Sequence, residues 1–157
     1  LELSPNDALI QIDELNRKES SYSIFEEFLA SAFICGFFAI LFQGNFFDLI
    51  AAGITGSIGY MTYVYSQKLT NIRFFSELLA AIVIAWLAFF LTNISIGSDV
   101  NIIIVASVMT LVPGKAITNG IRDLMASHYI SGVSVLADAL LTASAIGIGV
   151  ATVLSFL

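Results

Sequence analysis

The chain has 157 residues, of which 58% are hydrophobic and only 11% are charged, and its formal net charge is −6. This composition lies outside the range of soluble globular domains and predicts an integral membrane protein in contact with a lipid bilayer. Only four basic residues follow position 27, which leaves no basic stripe and excludes nucleic-acid binding. The single cysteine, Cys35, excludes an intrachain disulfide and a cysteine-based metal cluster.

The first predicted element is a short cytoplasmic amphipathic helix with its linker, in residues 1–23. Ser4 is the predicted N-cap, Pro5 occupies the first helical position, and Leu9 and Ile12 fall on one side. The chain begins without a methionine or a signal peptide, so we expect it to be the C-terminal part of a longer protein.

Five hydrophobic stretches long enough to cross a membrane follow, and no strand is predicted. These stretches cover about residues 24–43, 46–66, 74–94, 100–113 and 132–157, and together form one transmembrane domain from 24 to 157. All the basic residues fall on one side of these spans: Arg17, Lys18, Lys68, Arg73, Lys115 and Arg122. Because basic short loops stay in the cytoplasm, we expect a cytoplasmic N-terminus and an extracytoplasmic C-terminus. Asp48 and Asp99 are then expected in water at the outer surface.

Two predicted helices carry small residues along one face, where backbones can approach closely. In the second helix these residues recur at three- and four-residue steps: Ala52, Gly53, Gly56 and Gly59. In the fifth helix a carboxylate, a hydroxyl and two small residues share a face: Asp138, Thr142, Ala145 and Gly149. An ionisable group inside a span is a functional candidate by default. Asp138 also lies close enough to the interface for ordinary capping or hydrogen bonding, so both alternatives stay open.

The stretch around Pro113 and Gly114 is the most unusual part of the sequence. The fourth helix would rise ~20 Å before it reaches Pro113, about two-thirds of a ~30 Å hydrocarbon core. It is predicted to break there, where protein or water must satisfy the backbone. Lys115, Asn119 and Arg122 then recur on one helical face beside free N–H groups, an arrangement that fits a carboxylate. The alternative is that the two cations only set the topology.

Two stretches of the chain resemble the threonine/serine exporter family. The run VPGKAITNGIRDLMASHYISGVSVLADALLTASAIGIGVA is similar to a family signature with a Pro-Gly break, an asparagine, an Arg-Asp pair, a Ser-Gly and a small-residue helix bearing one acid. The run NIRFFSELLAA resembles the start of the family's third helix through Asn71, Phe74, Phe75 and Glu77. The Ala-Ser-His at 126–128 departs from the Gly-Asp or Gly-His that is usual there.

The resemblance implies a multi-pass exporter of the bacterial inner membrane that is driven by the proton gradient, an antiporter. Single-chain members export amino acids, and a split pair of subunits exports succinate-like dicarboxylates; this chain resembles the YjjP-type half of that pair. With an odd number of spans, a second five-helix unit would be inserted upside down, which is the inverted-repeat arrangement of many secondary transporters. We therefore expect a second half, either a YjjB-type subunit or another copy of the chain.

The residues and the resemblance together predict where the chemistry lies. Lys115, Asn119 and Arg122 are the predicted binding residues for the carboxylate of a small substrate, because a guanidinium fork and an amide match a planar carboxylate. Asp138 is the predicted acceptor of the coupling proton, with Glu77 as the alternative. Desolvation near the membrane interior disfavours a charged carboxylate and so favours proton uptake.

Two other classes of function compete with an exporter. A membrane-embedded enzyme would need a catalytic motif such as HExxH or GxSxG, and none is present, so we expect no catalytic residue, no cofactor and no metal. A structural or assembly subunit without a substrate stays open as the alternative. Such a subunit would not need a broken helix with two cations on one face.

Overall fold

A computed structural model describes residues 23–156 of the chain. These residues form six α-helices without a strand: α1 Ile24–Leu41, α2 Phe46–Thr70, α3 Arg73–Asn93, α4 Val100–Val108, α5 Gly114–Met125 and α6 Tyr129–Phe156. The all-helical prediction agrees with this architecture. The amphipathic helix predicted near the start, with Arg17 and Lys18, lies outside the described residues.

Three of the described helices are long and apolar enough to cross a membrane, namely α1, α3 and α6. The 25 residues of α2 are long enough but more polar, because this helix packs against α1, α3 and α4 and its middle is buried in protein. The face of a helix that packs against other helices can carry hydroxyl and glycine residues in its span. The nine residues of α4 rise only ~14 Å, which is too short to cross a ~30 Å core.

Close contacts between small residues hold α2 in the centre of this bundle. A methyl group at Gly53 would lie 3.2 Å from the backbone oxygen of Ala32 in α1. At Gly56 it would collide with the Cys35 sulfur of α1, and at Gly59 with Ile84 of α3. The small-residue face of α2 is therefore covered by helices of the same chain.

Asp48 ties two loops together at one end of the bundle. Its carboxylate accepts hydrogen bonds from the backbone N–H groups of Asn45 at 2.9 Å, Ser98 at 2.6 Å and Asp99 at 3.0 Å. The side chain is only 1% exposed, so the prediction that Asp48 lies in water was wrong. The reason is local: a carboxylate that caps its own helix can also accept from a neighbouring loop, which removes it from solvent.

The fourth predicted helix is interrupted before α5, as the Pro-Gly pair indicates, but it ends earlier than predicted. The last residue of α4 is Val108, and a turn follows in which Leu111 N donates to Val108 O at 2.9 Å. A residue that precedes proline is disfavoured in the α region, so Val112 cannot extend the helix. Pro113 is buried in protein, whereas Gly114 is exposed and begins α5.

The last two helices form a hairpin that we call the α5–α6 hairpin. Gly120 and Gly132 meet at the crossing, where a methyl group at Gly132 would lie 2.9 Å from the Gly120 oxygen. The hairpin joins the bundle where α6 packs on α3, with Gly149 against Leu78 and Ala81. Most other side chains of α5 and α6 are exposed.

Candidate functional site

Arg73, the first residue of α3, contacts both acids that the sequence singles out as proton acceptors. Its Nε donates to Glu77 Oε1 at 3.2 Å, one turn further along α3. Its Nη1 donates to Asp138 Oδ2 at 2.9 Å, which α6 supplies by packing on α3. We call these three side chains the Arg73 cluster.

The two acids of the Arg73 cluster lie in different surroundings. The side chain of Asp138 is 55% exposed, whereas that of Glu77 is 2% exposed. Among residues 23–156 no hydrogen-bond donor is found for Glu77 Oε2, although this atom is fully buried. A buried carboxylate oxygen without a donor is unfavourable, so Glu77 is the less satisfied of the two acids.

A pocket of about 320 Å³ opens beside the cluster at the break between α4 and α5. We call it the break pocket; it is lined by Tyr63, Arg73, Glu77 and the consecutive residues 110–116. Two basic residues, a buried acid and two hydroxyl-bearing residues, Tyr63 and Thr110, therefore line one cavity. This mixture can bind a small molecule that carries both charged and hydroxyl groups.

The backbone at the break leaves donors at the edge of this pocket. Gly114 N donates to Val112 O at 2.8 Å, and Ile117 N donates to Pro113 O at 3.1 Å. Within the described part of the chain, the N–H groups of Lys115 and Ala116 have no backbone acceptor. Free N–H groups in the first turn of a helix carry partial positive charge and favour an anion.

The three predicted carboxylate-binding residues are separated by the structure. Lys115 lines the break pocket, whereas Asn119 and Arg122 do not. All three are exposed on α5. No ion pair of Arg122 is found among residues 23–156, and Asp123 next to it accepts instead from Ser131 Oγ at 2.7 Å.

A second pocket, of about 470 Å³, lies on the other side of Thr110. It is lined by Glu26 and Glu27 of α1, by Tyr60 of α2, and by apolar residues of α1. The rings of Tyr60 and Tyr63 are 6.4 Å apart and each lines one of the two pockets. The two cavities therefore adjoin at this pair of tyrosines and at Thr110, which lines both.

Sequence reasoning missed the central position of Arg73, which it assigned to membrane topology alone. The spacing of four residues between Arg73 and Glu77 is a readable signal for a helical ion pair. The contact with Asp138 joins residues 65 positions apart and depends on the packing of α6 on α3. Within residues 23–156, no three His, Cys, Asp or Glu side chains lie close enough to share a metal ion.

Comparison with known proteins gives one match. A family model described as "Putative threonine/serine exporter" matches residues 2–157. Neither the curated proteins nor the solved structures contain a match to the chain.

Proposed function

The chain belongs to the threonine/serine exporter family, and from that premise we propose that it is one half of a proton-driven exporter whose substrate site is the break pocket. The family is one of exporters and not of enzymes. The proposed substrates are small metabolites that carry a carboxylate, either threonine and serine or dicarboxylates of the succinate type.

The observation that carries this proposal is the composition of the break pocket. Lys115, Arg73 and Glu77 line it together, at the interruption between α4 and α5, which supports a site for a charged substrate. In secondary transporters, interrupted helices supply free backbone groups and dipole ends to charged substrates. Irregular backbone at membrane depth is tolerated where it lines a wet cavity.

The substrate carboxylate is proposed to bind at the start of α5. The ammonium of Lys115 and the free N–H groups of Lys115 and Ala116 supply positive charge there. Asn119 and Arg122 continue the same polar face outside the pocket, so in this proposal they contact substrate only after a second half covers α5. The coupling proton is proposed to be taken up within the Arg73 cluster, by Asp138 or Glu77.

The proposed membrane arrangement keeps five crossings, with α4 and the break together forming the fourth. The loops at 42–45 and 94–99 meet through Asp48, which supports one common side for both. The basic residues Lys68, Arg73, Lys115 and Arg122 then lie at the cytoplasmic side. This arrangement puts the break pocket nearer the cytoplasm in the inner membrane.

A second half is proposed because α6 leaves small residues uncovered. Ala137, Ser144, Gly147 and Ala151 are exposed along α6. In a membrane, exposed small residues favour close packing against another helix. The proposed partner is an inverted five-helix subunit of the YjjB type or a second copy of this chain.

Transport by inside-out membrane vesicles tests this proposal. Vesicles from cells that produce the native full-length protein, with its partner half where one is required, receive an acid-interior pH gradient and labelled threonine or succinate. We expect accumulation of one of these substrates, reduced about tenfold by Lys115→Gln because the pocket loses a cation. Lys68→Gln is the matched control, since Lys68 is exposed and lies outside the break pocket.

Either of two results would contradict the proposal. If neither substrate accumulates although the protein is inserted in normal amounts, the chain is better described as a structural or assembly subunit. If Lys115→Gln and Lys68→Gln behave alike, the substrate site is not the break pocket.

A further inference from the structure

The two acids that contact Arg73 differ in how completely their oxygens are hydrogen-bonded or exposed. Asp138 donates no proton to this contact but accepts from the guanidinium, and its side chain is 55% exposed. Glu77 is buried, gives Oε1 to Arg73, and keeps Oε2 without a donor among the described residues. Because Glu77 also lines the break pocket, a ligand there with a positively charged donor would complete its hydrogen bonding once the carboxylate turns Oε2 toward the pocket.

The charges around Glu77 favour a ligand that is itself a zwitterion. The titratable groups around it are Arg73, which contacts it, Asp138, which contacts Arg73, and Tyr63 of α2 and Lys115 of α5, which line the same pocket. In this set, the positive charges of Arg73 and Lys115 balance the negative charges of the two carboxylates. A neutral zwitterion keeps that balance, whereas a dicarboxylate would bring two negative charges beside a buried acid.

We propose that Glu77 Oε2 is the acceptor for the substrate's ammonium group and that the coupling proton competes with the substrate for this same oxygen. This inference rests on the proposed function and assigns to Glu77 the coupling role for which the sequence favours Asp138. Arg73 and Asp138 are positioning residues, because the guanidinium fixes the Glu77 carboxylate and the Asp138 contact fixes the guanidinium.

Mutual exclusion at one oxygen explains how a proton gradient drives export. On the cytoplasmic side, the Glu77 carboxylate loses its proton to the cytoplasm and accepts an N–H of the substrate ammonium. On the outer side, the substrate leaves and one proton adds to Oε2, which gives a neutral carboxylic acid that no longer attracts an ammonium. Each cycle moves one zwitterion out and one proton in, so one positive charge enters per substrate exported.

The test measures threonine binding as a function of pH. The native full-length protein is purified, with its partner half where one co-purifies, and the dissociation constant for L-threonine is determined by calorimetry. Competition by one proton predicts that the dissociation constant rises about tenfold per pH unit on the acidic side of the profile. Glu77→Gln should bind threonine weakly with no such dependence, whereas Asp138→Asn should keep the slope.

A second measurement needs no variant and so does not depend on the folding of Glu77→Gln. 2,3-Dihydroxybutyrate has the shape of threonine with a hydroxyl in place of the ammonium. Its dissociation constant for the wild-type protein should stay constant or fall as the pH falls, because a hydroxyl can hydrogen-bond to both forms of the carboxyl and protonation removes a negative charge beside this anion.

Three results would overturn the inference. These are a retained pH slope in Glu77→Gln, a slope lost in Asp138→Asn, or the same slope for 2,3-dihydroxybutyrate as for threonine. The proposed function fails separately: if no amino acid or dicarboxylate is transported at all, the exporter proposal itself is wrong. Normal threonine transport with a retained slope in Glu77→Gln removes only the coupling role of Glu77.

Discussion

The bundle of α1 to α4 and the α5–α6 hairpin are built in opposite ways. In the bundle, backbones approach so closely that a methyl group at Gly56 would collide with Cys35, and the buried residues are mainly alanines, serines and glycines. In the hairpin, Gly120 is the only buried residue of α5. A methyl group added at Gly147 of α6 would meet nothing within 4 Å. The bundle is closed by its own contacts, whereas the hairpin is open except where α5 crosses α6 and where α6 packs on α3.

This difference indicates where the chain can move and where it needs a partner. Closely packed interiors transmit strain and resist displacement, whereas elements with few buried contacts open at low cost. The Arg73 cluster and the break pocket lie at the seam, with Arg73 and Glu77 on the bundle side and Asp138 and Lys115 on the hairpin side. A shift of the hairpin against α3 would change the shape of this site, and the close packing of α6 on α3 at Gly149 opposes such a shift.

The largest expected effect comes from replacing Asp48, a buried acid of the bundle. Asp48→Ala leaves the N–H groups of Asn45, Ser98 and Asp99 without their acceptor, and we expect a loss of roughly 3 kcal/mol in the free energy of unfolding. The matched change in the hairpin is Asp123→Ala, which removes only the bond from Ser131 and should cost less than about 1 kcal/mol. Unfolding by titration with SDS measures both; equal losses would contradict the comparison.

A second pair of changes tests packing alone. Gly56→Ala forces α1 away from α2, and overpacking of this kind costs about 2 kcal/mol. Gly147→Ala adds the same methyl group where there is open space, so it should be neutral or stabilise the helix by up to about 1 kcal/mol. Unfolding by titration with SDS measures the stability of both variants. A Gly56→Ala variant as stable as the wild type would show that α1 and α2 can separate at no cost.

Changes at the seam should alter transport more than stability. Arg73→Lys keeps the positive charge but cannot donate to Glu77 and Asp138 at once in the geometry of the guanidinium fork. We expect the rate of threonine accumulation in inside-out vesicles to fall about tenfold, which corresponds to about 1.4 kcal/mol. Arg73→Lys with full transport and normal amounts of protein would remove the Arg73 cluster from the mechanism.

The smallest effect is expected at the outer face of the hairpin. Arg122 is exposed and has no ion pair among residues 23–156, so Arg122→Gln should change the stability of the isolated chain by less than about 0.5 kcal/mol. In vesicles that contain the complete transporter, we expect about a threefold weaker apparent affinity for substrate, a difference of about 0.7 kcal/mol. An unchanged affinity would leave Arg122 with the role of setting the topology.

Local signals in the sequence predicted most of the helices and part of the site. Helix positions, the small-residue face around Gly56 and the interruption before Lys115 follow from length, spacing and the chemistry of proline. The environments of Asp48 and Asp138 do not follow from such local signals, because each side chain contacts a residue 50 or more positions away. Such contacts depend on how the helices pack against one another. The spacing of residues in a single sequence does not predict this packing.

The central claim is that substrate occupies the break pocket, and labelling of Ala116→Cys tests it most directly. Ala116 lines the pocket, while the native Cys35 is fully buried and should leave the parent protein unlabelled. We expect a charged, membrane-impermeant maleimide added at the cytoplasmic face to label Ala116→Cys, and threonine to slow that reaction at least fivefold. Lys68→Cys, exposed on the proposed cytoplasmic side and outside the break pocket, is the control that threonine should not protect. Labelling of Ala116→Cys at the same rate with and without threonine, in a protein that transports threonine, would contradict the account.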